Sequence, residues 1–233
     1  MLATILDADA LRHAEILEQV WQFRHRQFVE RLGWEAYRRP DGREIDQFDG
    51  DEAIHLPLVV DGQVVGYSRL LPTLQPHLLS DVYPHLMDGA QWPRGSRIFE
   101  WTRCIAEVSD KVIAGVPISN ILMTGVMEYC LVAGIEALVV ETHPKLVNLL
   151  VTTGWEVMPL AAPSVLEGSL IVPITAKPSM AGLLKHHELY GINGSVLDLE
   201  HAHGNPFGPS ALLRLAFVEE QHGNVQYARM AGE

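Results

Sequence analysis

A chain of 233 residues with 48% hydrophobic content is long enough to bury one sizeable core and is neither disordered nor fibrous in composition. Its 17 Lys and Arg against 29 Asp and Glu give a formal net charge of -12, which argues against a nucleic-acid partner and against adhesion to an anionic membrane. The two cysteines, Cys104 and Cys130, are too few for a disulfide framework and show no metal-ligand spacing, so no metal is expected and a reducing cytoplasm fits.

Asp7 and Asp9 stand where a secretory signal would need a positive flank and an apolar run, so no export signal is expected. Residues 10–30 place Leu11, Ile16, Leu17, Val20, Phe23 and Phe28 at helical intervals, with Asp9 as candidate N-cap. The stretch 33–53 is polar, holds Pro40 and two Gly-containing turns, and predicts a long ordered loop of the kind that carries function. Asp61-Gly62 between two apolar runs predicts a hairpin with strands at 54–60 and 63–71, Pro57 sitting where no ladder bond is needed. Residues 97–105 predict a third, largely buried strand.

A helix is expected over 116–133, with Pro117 in its first turn and Gly134 past its end. A strand at 137–142, a helix after Pro144 ending at Gly154 and a strand at 169–175 complete a β-α-β second half. The longer greasy segments are broken by Pro117, Asn120, Glu128 and Glu136, so none reaches the roughly 18 residues of a membrane span. Residues 177–190 read as a further helix, and His201 and His203 as solvated loop histidines. The whole chain, 1–233, is taken as one domain, with 191–233 a less certain C-terminal extension.

Charges concentrate in the first half: Arg24, Asp46, Asp49, Arg69, Glu100 and Arg103. Arg24 and Phe28, four apart, share a helix face, where an arginine stem beside an aromatic ring is the plain reading. Arg69 and Glu100 sit inside apolar strands, where a charge is costly unless paired or in use, and a buried salt bridge is the simpler explanation. Glu100 and Arg103 are three apart, so both reach one cleft only if the strand bulges.

The ordered set Arg24, Phe28, Trp34, then Glu44-Ile45-Asp46-Gln47-Phe48-Asp49, Gly66-Tyr67-Ser68-Arg69-Leu70-Leu71-Pro72-Thr73 and Phe99-Glu100-Trp101-Thr102-Arg103 resembles the acyl-homoserine-lactone synthase (autoinducer synthase) family over about residues 20–175. The resemblance implies an α/β fold like the N-acetyltransferases (GNAT-like), a twisted mixed sheet flanked by helices and split by a V-shaped gap. It implies an acyltransferase that joins the amine of S-adenosylmethionine to an acyl group from acyl-CoA or acyl carrier protein, then closes the lactone and releases methylthioadenosine. Both are substrates, and no cofactor is expected.

On that resemblance Glu100 is expected as general base with Arg103 beside it, Glu100→Gln leaving the fold intact while slowing acylation. Backbone N–H groups freed at a bulge near 101–104 would hold the oxyanion. Phe28 and Trp34 would meet the adenine and sulfonium, Arg24 and Arg103 the substrate carboxylate, and Asp46, Asp49 and Arg69 complete the S-adenosylmethionine site.

Met123, Met127, Leu138 and Val140 are candidates for an acyl pocket, with core packing the competing reading. Val140 in place of a family threonine favours an unsubstituted acyl chain. A single lysine, Lys145, on the 143–153 helix and the acidic net charge favour acyl-CoA slightly over carrier protein. An acetyl-CoA N-acetyltransferase is the alternative, weakened because SDKVIAGVP offers only Gly115 as a phosphate-cradling glycine. A non-enzymatic S-adenosylmethionine-binding module is the other.

Overall fold

The computed structural model describes residues 5–6, 14–50, 52–108, 112–166 and 168–197. The candidate cap Asp9, His201, His203 and most of the expected C-terminal extension lie outside these residues. Strand β1 (Ile5–Leu6) pairs with the start of β2 (Ile54–Val60), which forms the expected Asp-Gly hairpin with β3 (Gln63–Pro72). Asp61 and Gly62 both take positive φ, 50° and 76°, the backbone a tight two-residue hairpin turn requires. Pro57 lies beyond the two-residue reach of β1, on the open part of β2.

Helix α1 (Ala14–Arg24) runs on without a break into wider, π-type turns at His25–Arg31, so the expected helix is present but unwinds after Arg24. Strand β4 (Ile98–Ala106) pairs antiparallel with β3. A small hairpin, β5 (Val112–Ile113) and β6 (Val116–Pro117), turns through Ala114 and Gly115 at φ 50° and 85°. Pro117 therefore caps helix α2 (Ile118–Ala133) from outside rather than sitting in its first turn, and Gly134 ends it in the left-handed conformation.

Strand β7 (Ala137–Thr142) returns parallel to β4, then α3 (Pro144–Thr153), β8 (Glu156–Pro159), β9 (Ser164–Leu166), β10 (Ser169–Lys177) and α4 (Met180–Tyr190) follow. The sheet order β1-β2-β3-β4-β7-β10-β8 is antiparallel except at β4–β7, so this is the expected mixed α/β sheet flanked by helices.

Alternation along the strands divides the molecule. Leu56, Leu58, Leu70, Trp101, Leu138 and Ile174 face α2, α3 and α4 in the main core. The opposite face packs Tyr67 and Val64 against Val20 and Phe23 of α1, and Val139 against Leu79, Leu86 and Met87 of the 77–87 turns. It is on this second face that the charges gather.

Candidate active site

The 33–53 loop is fastened down by ion pairs. Arg24 on α1 reaches Glu44 Oε2 at 2.5 Å and Asp49 Oδ1 at 2.7 Å. Arg69 on β3 reaches Asp46 Oδ1 at 2.7 Å and Asp49 Oδ1 at 2.6 Å, while its Nε donates to Thr102 Oγ1 at 3.0 Å. Arg103 on β4 closes the ring, its Nη2 lying 3.0 Å from Glu44 Oε1 and 2.8 Å from Asp46 Oδ2. Three guanidinium groups thus face three carboxylates, and the cluster is neutral as a whole.

Burial works to raise the Asp49 carboxyl, but Arg24 and Arg69 outweigh it and hold the group well below the usual carboxylate range. Glu44 is lowered in the same way, Arg24 and Arg103 overriding its burial. Burial disfavours the charge on Arg24 and Arg69, yet their acidic partners outweigh it and hold both above the ordinary arginine range.

The bulge that the Glu100/Arg103 spacing requires is present. Tyr67 pairs with Ile105 and Arg69 with Thr102, so Ser68 alone faces the two residues Arg103 and Cys104. Arg103 absorbs the extra residue with φ 55°, a left-handed conformation rare outside glycine. The kink swings its side chain onto the charged face. There its guanidinium lies 5.5, 5.0 and 5.2 Å from the ring centres of Phe28, Trp34 and Tyr37, and Phe28 stacks on Trp34 at 4.6 Å. Phe28 owes this position to the π-type turns after Arg24. Arg24 points elsewhere, over Trp21 and Tyr67 at 5.1 and 5.5 Å, so the two residues reach different partners.

Glu100 is fully buried and held by the 77–79 turn. His77 Nδ1 lies 2.9 Å from Oε1, and the N–H groups of Leu78 and Leu79 donate to Oε2 and Oε1 at 2.8 and 2.6 Å. Pairing between β4 and β7 covers Ile98–Glu100 with Ala137–Val139 and goes no further, so the V-shaped gap opens directly beyond Glu100. The edge of β4 from Trp101 onward is left facing that gap.

The geometry gives the remaining expected residues distinct places. Arg24 and Arg69 are 0% exposed and held in ion pairs at the centre of the cluster, with Arg24 Nη2 left without a hydrogen-bond partner among the described residues. Met127 and Leu138 are completely buried in the main core. Met123 and Val140 lie partly exposed at the core's edge, Met123 with its sulfur 3.9 Å from Cys104 Sγ. Asp46, Trp34 and Phe28 converge on Arg103, while Asp49 lies between Arg24 and Arg69.

Glu44, Tyr37, His77 and Glu141 were not singled out by sequence. Glu44 stood in the quoted acidic run, but nothing in the 77–82 segment signals that it wraps a buried carboxylate. Among the described residues no group of three or more His, Cys, Asp or Glu side chains is placed to hold a metal, and no helix is long and apolar enough to cross a membrane.

Comparisons with known proteins agree with this architecture. Residues 7–176 match the autoinducer synthase family model. The isovaleryl-homoserine lactone synthase of Bradyrhizobium diazoefficiens is 34% identical over 163 residues, 70% of this chain and 73% of that one. The CoA-dependent acyl-homoserine lactone synthase BjaI, solved with SAM and isopentyl-CoA, superposes with TM-score 0.78 at 30% identity, covering 85% of this chain and 92% of its own. MesI, also a CoA-dependent acyl-homoserine lactone synthase, gives TM-score 0.78 and 30% identity over 85% of this chain and 99% of its own. Over nearly three quarters of its length, and with the fold of solved relatives, this chain belongs to the autoinducer synthase family.

Proposed function

We propose that the chain acylates the α-amine of S-adenosylmethionine from an acyl thioester and then closes the lactone with release of methylthioadenosine, producing an acyl-homoserine-lactone signal. The observation that carries this reading is the aromatic box of Phe28, Trp34 and Tyr37, which already holds a cation and stands beside the gap between β4 and β7. Such a box suits a sulfonium and a flat adenine. Arg103, which touches both the box and the acidic ring, is the guanidinium placed to meet the substrate carboxylate by exchanging one of its partners.

Acylation requires the neutral amine to attack the thioester carbonyl and lose a proton. Glu100 supports the base role at the apex of the gap, since Oε2 accepts a single hydrogen bond and keeps lone-pair capacity for a proton delivered through water. Ladder-free backbone at Arg103 and Cys104, and the unpaired edge of β4, supply N–H donors for the oxyanion. Lactonisation then needs mainly a folded substrate, because the sulfonium is an excellent leaving group.

An acyl-CoA donor with an unsubstituted chain fits best. Lys145 is the only basic residue on α3, and the relatives BjaI and MesI are CoA-dependent synthases. The reaction belongs in the cytoplasm, which the free thiols of Cys104 and Cys130 also suit. Incubating the protein with S-adenosylmethionine and a panel of acyl-CoA and acyl-carrier thioesters should yield methylthioadenosine and acyl-homoserine lactone in equal amounts by mass spectrometry. Methylthioadenosine without acylated lactone, or neither product with any donor, would refute the reading.

A further inference from the structure

One carboxyl in the gap is used by none of these steps. Glu141 stands on β7 two residues past Val139, the residue in register with Glu100, so it projects from the same face as Glu100 just where the two strands part. Its neighbour in register on β10 is Pro173, and the flank on that face is apolar, with Ile171, Leu79 and Leu160 around Val139. Its Oε1 is buried and has no hydrogen-bond partner among the described residues. Glu100 is the charged group that acts on it from β4, with His77 behind Glu100 on the turn, and β10 brings no charge to this spot. A buried carboxyl oxygen without a partner is a group waiting for one.

We propose that Glu141 is a catalytic acid of the acyl transfer, giving its proton to the sulfur of the departing thiol while Glu100 takes the proton from the attacking amine. The inference rests on the acyltransferase reading above. As the tetrahedral adduct collapses, the C–N bond already formed loses one N–H proton to the Glu100 carboxylate. The C–S bond breaks, and the sulfur leaves as a thiol with the proton of Glu141. The adjacent carboxyls then exchange one proton and return to their starting states, with no other reactant needed. Burial first, and then the charge of Glu100, raise the Glu141 carboxyl well above its ordinary range, which keeps the proton on it until the thiolate forms. Two neighbouring carboxyls in unlike surroundings, one met by N–H groups and one against apolar side chains, can divide the roles of base and acid in one reaction.

Glu141→Gln tests this, since the amide keeps the shape of a neutral carboxyl and has no proton to give. With acyl-CoA as donor the variant is expected to lose about a hundredfold in kcat, with KM within about threefold of the wild type, and to lose the alkaline limb of the wild-type kcat–pH profile. With the same acyl group on 4-nitrothiophenol, whose thiolate departs unprotonated, the defect should shrink to about tenfold or less. A kcat within about threefold of wild type, or a loss that keeps the alkaline limb and is equal on both donors, would overturn the proposal. Should the glutamine variant fail to fold, Glu141→Asp must still show the alkaline limb at a reduced kcat, and its absence there counts against the idea. A wild type that makes no lactone from any donor would instead refute the underlying reaction.

Discussion

Under the 33–53 loop, six charged side chains from four separate segments each find an opposite charge, whereas one strand away Glu100 and Glu141 are two acids at the mouth of a gap, the first met by backbone N–H groups and a histidine ring and the second facing apolar side chains. Apart from Arg103 at its rim and the Nη2 of Arg24, which has no hydrogen-bond partner among the described residues, the ring spends its polar groups on tying α1, the loop, β3 and β4 together. The acidic pair leaves proton-accepting and proton-giving capacity unspent. Opposite charges in contact make structure, and acids beside a gap leave room for chemistry.

Breaking the ring should do the most damage. Asp49→Ala strips the shared partner from Arg24 and Arg69, both fully buried, and an uncompensated buried charge costs about 3–5 kcal/mol. Urea denaturation should show that loss, and a midpoint unchanged from wild type would mean the ring is not what holds the loop.

The acidic corner answers differently. Glu100→Gln was expected to spare the fold, but the structure predicts a mixed effect, because an amide NH₂ would face the N–H of Leu78 or Leu79, donor against donor. Stability should fall by about 1–3 kcal/mol, and turnover by about a hundredfold or more. Near-wild-type values of both would place the chemistry elsewhere.

Acid should loosen the face that both regions share. His55 is buried behind Tyr67, 2.6 Å from its hydroxyl, and burial pushes its pKa down to about 4. The unfolded chain binds a proton near pH 6.5 and the folded one does not until about pH 4, so this contribution is complete above pH 6.5 and is lost as pH falls through that window. The slope is on the order of 1 kcal/mol per pH unit, and His55→Asn should flatten it in denaturation curves collected from pH 7 to 4.5.

At the rim, Trp34 is 38% exposed, so Trp34→Ala should barely change stability. It should weaken S-adenosylmethionine binding about fivefold by calorimetry, the size of one cation–π contact. Unchanged affinity would detach the box from the substrate. The smallest effect concerns the donor: one acyl group on CoA should be used up to about tenfold better than on carrier protein. A carrier preference that fades with salt would expose a basic docking patch.

Strands β2, β3, β4, β7 and β10, helices α2 to α4 and the Asp-Gly hairpin were legible because period-two and helical spacing, Gly ends and Pro starts are local properties of the chain, whereas the short strands β1, β5, β6, β8 and β9 were not. Even the bulge followed from two charged residues three apart on one strand. Which charges are spent was not legible, because the partners of Arg24 lie 20 and 25 residues away and those of Glu100 more than 20, on segments whose own sequence carries no periodic signal. Sequence therefore determined the longer elements, the charged residues and the family, since propensity and spacing act locally. Only the tertiary structure decided that Arg24 and Arg69 are locked away and that Glu141 stands beside Glu100, because burial and pairing are set by strand order and by where β4 and β7 part.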